Sequence, residues 1–125
     1  MVLVMNDKKT STIDFSKIYD LNKIVDYQEG SVVSRQLIKQ KTGNVTLFAF
    51  AEGEGLSEHT TPFDALVYII DGEAKITIDK EVFHSKAGEV LVMPADIPHA
   101  LYATKQFKML LVMIKTVWIK VTKNG

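Results

Sequence analysis

Short apolar runs recur along most of the chain, and polar or turn-forming residues separate them. They lie at 32–33, 37–38, 45–50, 66–70, 75–78, 90–93, 100–103, 109–114 and 117–121. Most of the boundaries contain Gly, Pro, Asn or Asp, at intervals near the roughly 8–12 residues typical of sandwiches and barrels. The pattern therefore predicts an all-β domain built from many short strands.

Turn residues at three boundaries favour antiparallel pairing. Asp71-Gly72 predicts a tight hairpin between the runs at 66–70 and 75–78, because both residue types tolerate positive φ. Gly43-Asn44 predicts a second hairpin, and Asp79-Lys80 marks a third reversal. The expected architecture is a double Greek-key barrel of the jelly-roll kind.

The N-terminal part does not follow the strand pattern. Residues 1–12 are expected to form a loosely held arm, and the apolar spacing within 13–25 allows a short helical turn. We therefore divide the chain into an N-terminal arm with a short irregular or helical segment at 1–26, a barrel at 27–121 and a tail at 122–125.

Composition excludes several kinds of partner and chemistry. The 15 Lys and Arg residues balance 15 Asp and Glu residues, so nothing indicates binding to nucleic acid. No apolar run approaches the roughly 20 residues that span a bilayer, and the first residues do not resemble a secretory signal, so we expect a cytoplasmic protein without a membrane partner. Cysteine is absent, so any metal would be bound by imidazole nitrogen and oxygen.

Two spaced clusters contain the residues that could carry chemistry. The first reads Gly53-EGLSE-His59-TTPFDALVYIID-Gly72, and the second reads Gly88-EVLVM-Pro94-ADIP-His99. Both resemble the two motifs of the cupin family. The family pattern has a second histidine where this chain has Thr61 and a glutamate where it has Ala65, so the metal-ligand motif is degenerate.

The resemblance extends from about residue 27 to 114. The stretches at 27–34, 57–65 and 93–100 are similar to those of small bacterial cupins of the type-2 conserved barrel family. This resemblance implies a double-stranded β-helix, which is the cupin jelly-roll barrel, together with a homodimer and a histidine-containing pocket. It implies no particular reaction.

Strand alternation predicts which side chains line that pocket, because residues two apart share a face. The predicted pocket-lining residues are His59, Thr61, Ala65, Val67, His99, Leu101, Met109 and Leu111. The expected interior is an apolar cup that contains two imidazoles.

Two interpretations of His59 and His99 stay open. They could be ligands of a divalent metal ion such as Fe, Zn, Ni or Mn, completed by water, substrate, Glu54 or Glu58, although metal sites normally need three protein ligands. Alternatively, they are hydrogen-bonded histidines in a pocket that holds no metal. We therefore expect a barrel that binds a small molecule; the alternative is a metal-dependent isomerase or dioxygenase. Use of the barrel for dimerisation alone is a third interpretation.

Overall fold

Strands make up most of the chain in the computed structural model, which describes the backbone of residues 2–5 and the whole of residues 13–115. In these ranges the strands are β1 Val2–Met5, β2 Ser31–Gln40, β3 Gly43–Phe50, β4 Gly55–His59, β5 Phe63–Ile78, β6 Glu81–Lys86, β7 Val90–Met93, β8 His99–Tyr102 and β9 Phe107–Lys115. One 3-10 turn, Leu21–Lys23, lies in the N-terminal segment. The strand predicted at 117–121 lies outside the described residues.

β5 belongs to two layers. Its first half pairs with β9 and β7, and its second half pairs with β6 and β8. The large layer has the order β1-β2-β3-β9-β5-β7, and the small layer has the order β6-β5-β8-β4. Because one continuous strand crosses from layer to layer, the sheet curls and its inner faces meet.

The predicted hairpin at Asp71-Gly72 is wrong. Both residues lie inside β5, where the pairing with β9 shifts register between Ile69 and Asp71. Gly72 has φ +77°, and a Cβ built there would lie 2.2 Å from the carbonyl oxygen of Gln106. The positive φ that was expected to close a hairpin instead bends one strand at a β-bulge.

The other two predicted reversals are hairpins in the structure. Asp79 and Lys80 connect Ile78 to Glu81, which pair with each other. At the β2–β3 hairpin the turn comes before Gly43-Asn44, since Gln40 pairs with Gly43. Gly43 is instead a point of close approach, because its Cβ would lie 2.2 Å from the carbonyl oxygen of Met113.

The hydrophobic core lies between the two layers and contains alternate residues of their inner faces. Stacked rings of Phe50 and Phe107, with centroids 4.4 Å apart, occupy it near the bend of β5. The buried core residues are Val32, Phe48, Phe50, Ala65, Val67, Ile69, Ala74, Ile76, Met93, Leu101, Ala103, Phe107, Met109 and Leu111. Burial of these side chains is the main favourable term that holds the layers together.

The N-terminal segment packs on the outer face of the large layer. Val25 is buried there against Leu47 and Ala49. Two polar contacts fix the segment: the Tyr27 hydroxyl donates to Asp71 Oδ2 at 2.5 Å, and Lys108 Nζ donates to the carbonyl oxygen of Asn22 at 2.6 Å. Burial and the neighbouring carboxylate both raise the pKa of Tyr27. Residues 2–5, expected within a loose arm, pair in parallel with β2 along its outer edge.

We expect Gly72→Ala to destabilise the fold strongly, because it combines a positive φ with a backbone clash. A non-glycine residue at such a φ costs about 1–2 kcal/mol, and the steric conflict should raise the total to about 3 kcal/mol or more. Urea denaturation followed by circular dichroism measures the loss. Gly30→Ala is the matched control, since Gly30 has φ +73° but its Cβ would meet no atom within 4 Å. Equal losses for the two variants would contradict the role assigned to the bend.

Candidate functional site

His59 and His99 lie side by side on adjacent strands of the small layer. They pair with each other in the β4–β8 ladder, although the strands approach from distant parts of the sequence. Their ring centroids are 4.4 Å apart, and the ring planes are inclined at 68°. The two motif histidines therefore form one imidazole pair at the end of this layer away from the bend in β5.

The backbone orients both rings in the same way. Nδ1 of His59 lies 2.7 Å from the carbonyl oxygen of Ser57, and Nδ1 of His99 lies 3.2 Å from that of Ile97. A carbonyl oxygen can only accept, so each Nδ1 must carry the proton. In the neutral rings, Nε2 then has the free lone pair.

The two rings differ in their exposure to water. His99 is buried, with 4% of its surface exposed, whereas His59 is exposed. Burial lowers the pKa of His99, the hydrogen bond to the Ile97 carbonyl partly opposes this effect, and the nearby His59 charge lowers the pKa further. His99 is therefore a neutral imidazole at pH 7. Neither ring nitrogen of His99 is both fully buried and without a hydrogen-bond partner.

The remaining predicted pocket residues lie at different depths. Thr61 is half-buried, and its hydroxyl donates to the Phe63 carbonyl and accepts from the Phe63 amide. The apolar members pack into the core: Ala65, Val67, Leu101, Met109 and Leu111. Val67 and Met109 have no exposed surface, so in this conformation their side chains belong to the core and lie beneath the surface around the two histidines.

Four partly buried apolar side chains pack against the core: Leu56, Ile78, Leu91 and Met113. Ile78 pairs with His99, Leu91 pairs with Val67, and Met113 pairs with Ala65. None of these four is among the eight pocket-lining residues predicted from strand alternation. Alternation places Met113 on the same face as Leu111, but only the cross-strand register places Ile78 beside a histidine. We call the surface of His59, His99 and these four residues the cup.

The donor set of the cup does not fit a resident metal ion. Two imidazoles lie together, but the two other ligand positions of the family pattern are Thr61, whose hydroxyl is already bonded, and Ala65, which has no donor. Within residues 13–115, no group of three or more His, Asp or Glu side chains is arranged to hold a metal. Catalytic zinc and non-haem iron sites each normally take at least three protein ligands.

Two other polar side chains near the motifs lie outside the cup. Asp64 is exposed and accepts a hydrogen bond from the Ala95 amide at 2.8 Å, so it fastens the loop before His99. His84 is exposed on β6, where Nδ1 lies 3.7 Å from a carboxylate oxygen of Glu73. Neither residue contributes to the imidazole pair.

Comparison with known proteins identifies the family. The family model of the Cupin domain matches residues 46–115. A conserved protein of unknown function from Streptococcus pyogenes is 40% identical, with 85% of this chain and 93% of that chain covered and a TM-score of 0.81. A cupin 2 conserved barrel domain protein from Leptotrichia buccalis is 44% identical, with 78% of this chain and 47% of that chain covered and a TM-score of 0.76.

One curated relative has a more specific name. It is Polyketide synthase CurC from Streptomyces cyaneus, 32% identical over 59 residues, which are 46% of this chain. The match spans only 38% of the length of that relative.

The chain belongs to the cupin family. This result confirms the resemblance drawn from the two motifs, and the all-β double-stranded β-helix is confirmed with it. In the parts of the chain that the structure describes, no helix is long and apolar enough to cross a membrane.

The lowered pKa of His99 predicts a pH dependence of stability. The folded protein holds the His99 proton less tightly than the unfolded chain, in which the pKa of histidine is near 6.5. The stabilisation that results is fully present above pH 6.5 and is lost as the pH falls toward the pKa of His99 in the folded protein. Urea midpoints measured from about pH 7.5 to 5 should fall more steeply for the wild type than for His99→Gln. His84→Gln should follow the wild type. Parallel curves for the wild type and His99→Gln would contradict the prediction.

Proposed function

We propose that this cupin domain binds a small organic molecule in the cup, with His59 and His99 as its polar anchors. The observation that carries the proposal is the imidazole pair, whose centroids are 4.4 Å apart beside partly exposed apolar side chains. A few convergent polar groups on an apolar concave surface are typical of small-molecule sites. The cytoplasmic location expected from the sequence stays a prediction.

The metal-dependent isomerase or dioxygenase is less well supported, because among residues 13–115 no third His, Asp or Glu is arranged with the two imidazoles to hold a metal. Catalysis is the second candidate function, because a relative that matches 46% of this chain is named as a polyketide synthase. A neutral imidazole with a free Nε2 is a suitable general base, so the same two side chains would take that role.

Ligand binding should depend on both histidines of the pair and not on the third histidine of the chain. In a thermal-shift screen of uncharged and charged metabolites, we expect compounds that stabilise the wild type to lose about tenfold or more in affinity with His59→Ala or His99→Ala. His84→Ala is the control and should bind normally. Treatment with EDTA should leave binding unchanged. The proposal fails if no compound binds in a histidine-dependent way.

The homodimer implied by the family resemblance has a candidate surface. The outer face of the large layer carries a cross-strand row of apolar side chains: Ile38, Val45, Val112, Leu66 and Val92. Tyr68 and Val90 extend this apolar surface in the next row, whose other members, Leu47 and Leu110, pack with the N-terminal segment. A groove of about 250 Å³ lies beside them, lined in part by Val112 and Ile114.

We infer that a second copy of the chain covers this face. Val92 and Ile114 are 52% and 61% exposed, and the row from Ile38 to Val92 contains no charged residue, so an apolar partner surface would match it. The formal net charge of zero means that two copies do not repel each other strongly.

Substitution of these exposed residues should separate the two copies. Size-exclusion chromatography with light scattering should show a dimer for the wild type and mostly monomer for the double variant Val92→Lys, Ile114→Lys, because two buried lysine charges on each subunit would oppose association. Val82→Lys is the control, since Val82 is 48% exposed but lies on the small layer. A monomeric wild type, or a dimeric double variant, would exclude this interface.

A further inference from the structure

The hydrogen-bonding groups of the cup are mostly acceptors. Both Nδ1–H groups are used by the carbonyl oxygens of Ser57 and Ile97, so each ring presents only its Nε2 lone pair to a ligand. The Thr61 hydroxyl already donates to Phe63. In the nearby loop, the Ala95 amide donates to Asp64 and the Asp96 amide donates to the Thr61 carbonyl.

Within the two motif segments, all charged side chains are acidic. Residues 53–65 and 88–103, which contain both motifs, include no Lys or Arg. They include five acidic residues: Glu54, Glu58, Asp64, Glu89 and Asp96. Lys80 follows Ile78 by two residues and Lys115 pairs with Phe63, so charges of both signs flank the cup. An anion is disfavoured there because the two imidazoles offer it acceptors and no donors.

We propose that the ligand of the cup is a hydrogen-bond donor, a hydroxyl or an amine on an apolar body, and that carboxylates and phosphates are excluded. The proposal rests on the proposed small-molecule function and names its ligand class. The polar group of the ligand donates to Nε2 of the imidazole pair, a hydroxyl to one ring and an amine to both, and its apolar body covers Leu56, Ile78, Leu91 and Met113. The lowered pKa of His99 supports this arrangement, because it keeps that ring an acceptor at neutral pH.

The tautomers can be tested without a ligand. Long-range ¹H–¹⁵N correlation spectra of uniformly labelled protein at pH 7.5 should show the proton on Nδ1 and a lone pair on Nε2 for His59 and His99. His59→Gln and His99→Gln assign the signals. A proton on Nε2 of both rings would overturn the proposal, because the cup would then present donors instead of acceptors.

The ligand class can be tested with four compounds that share one apolar body: cyclohexanol, cyclohexylamine, cyclohexanone and cyclohexanecarboxylate. Titrations monitored by the histidine Cε1–H signals should give affinities about fivefold to tenfold higher for the alcohol or the amine than for the ketone and the carboxylate. The stronger of the first two shows whether the donor is a hydroxyl or an amine. Equal or tighter binding of the ketone or carboxylate, or binding of none of the four, overturns the proposal.

A variant that introduces a donor should change the preference. His59 is exposed, so His59→Lys should fold, and we expect it to gain affinity for cyclohexanecarboxylate while losing affinity for cyclohexylamine. His84→Lys, which adds the same charge on β6, should keep the wild-type order. No change in order with His59→Lys overturns the proposal. If the proposal about the ligand class fails, histidine-dependent binding of other compounds in the thermal-shift screen would still support the proposed small-molecule function. Failure of the ligand class and failure of the proposed function are therefore distinguishable.

Discussion

The bend in β5 is the constraint on which the rest of the structure depends. One continuous strand satisfies the backbone hydrogen bonds of β9 and β7 with its first half and those of β6 and β8 with its second half. Gly72 permits the change of direction, because its φ of +77° and the nearby Gln106 carbonyl leave no room for a side chain. The inner faces of the two layers therefore meet, and the histidines of β4 and β8 lie over the apolar core between them.

The cup retains the histidines of the two motifs but lacks donors at two other motif positions. Thr61 and Ala65 remove two donors, while the remaining histidines are still oriented by backbone carbonyl oxygens. Burial of His99 keeps that imidazole uncharged. The result is a pair of hydrogen-bond acceptors beside apolar side chains, which is why we propose that the cup binds an organic ligand instead of a metal ion.

The outer face of the large layer has a region that the N-terminal segment covers and a region that stays exposed. Near the bend of β5, the N-terminal segment buries Leu47 and Ala49 under Val25, and Lys108 and Asp71 provide the polar contacts that hold it. Farther along the same layer, apolar side chains such as Val92 and Ile114 stay exposed. This contrast is why we assign the ligand to the inner face and the second copy to the outer one.

Local chemistry was enough to predict most of the strands, the β5–β6 reversal and the family, because alternation, turn residues and motif letters are properties of neighbours in the sequence. The same letters single out His59 and His99. They do not distinguish a hairpin at Asp71-Gly72 from a bulge, since both use a glycine at positive φ. Three features of the site arise only when strands distant in sequence are set in register. They are the pairing of Ile78 with His99, the burial of one imidazole and not the other, and the orientation of each ring by a backbone carbonyl. Each depends on atoms that only folding brings together.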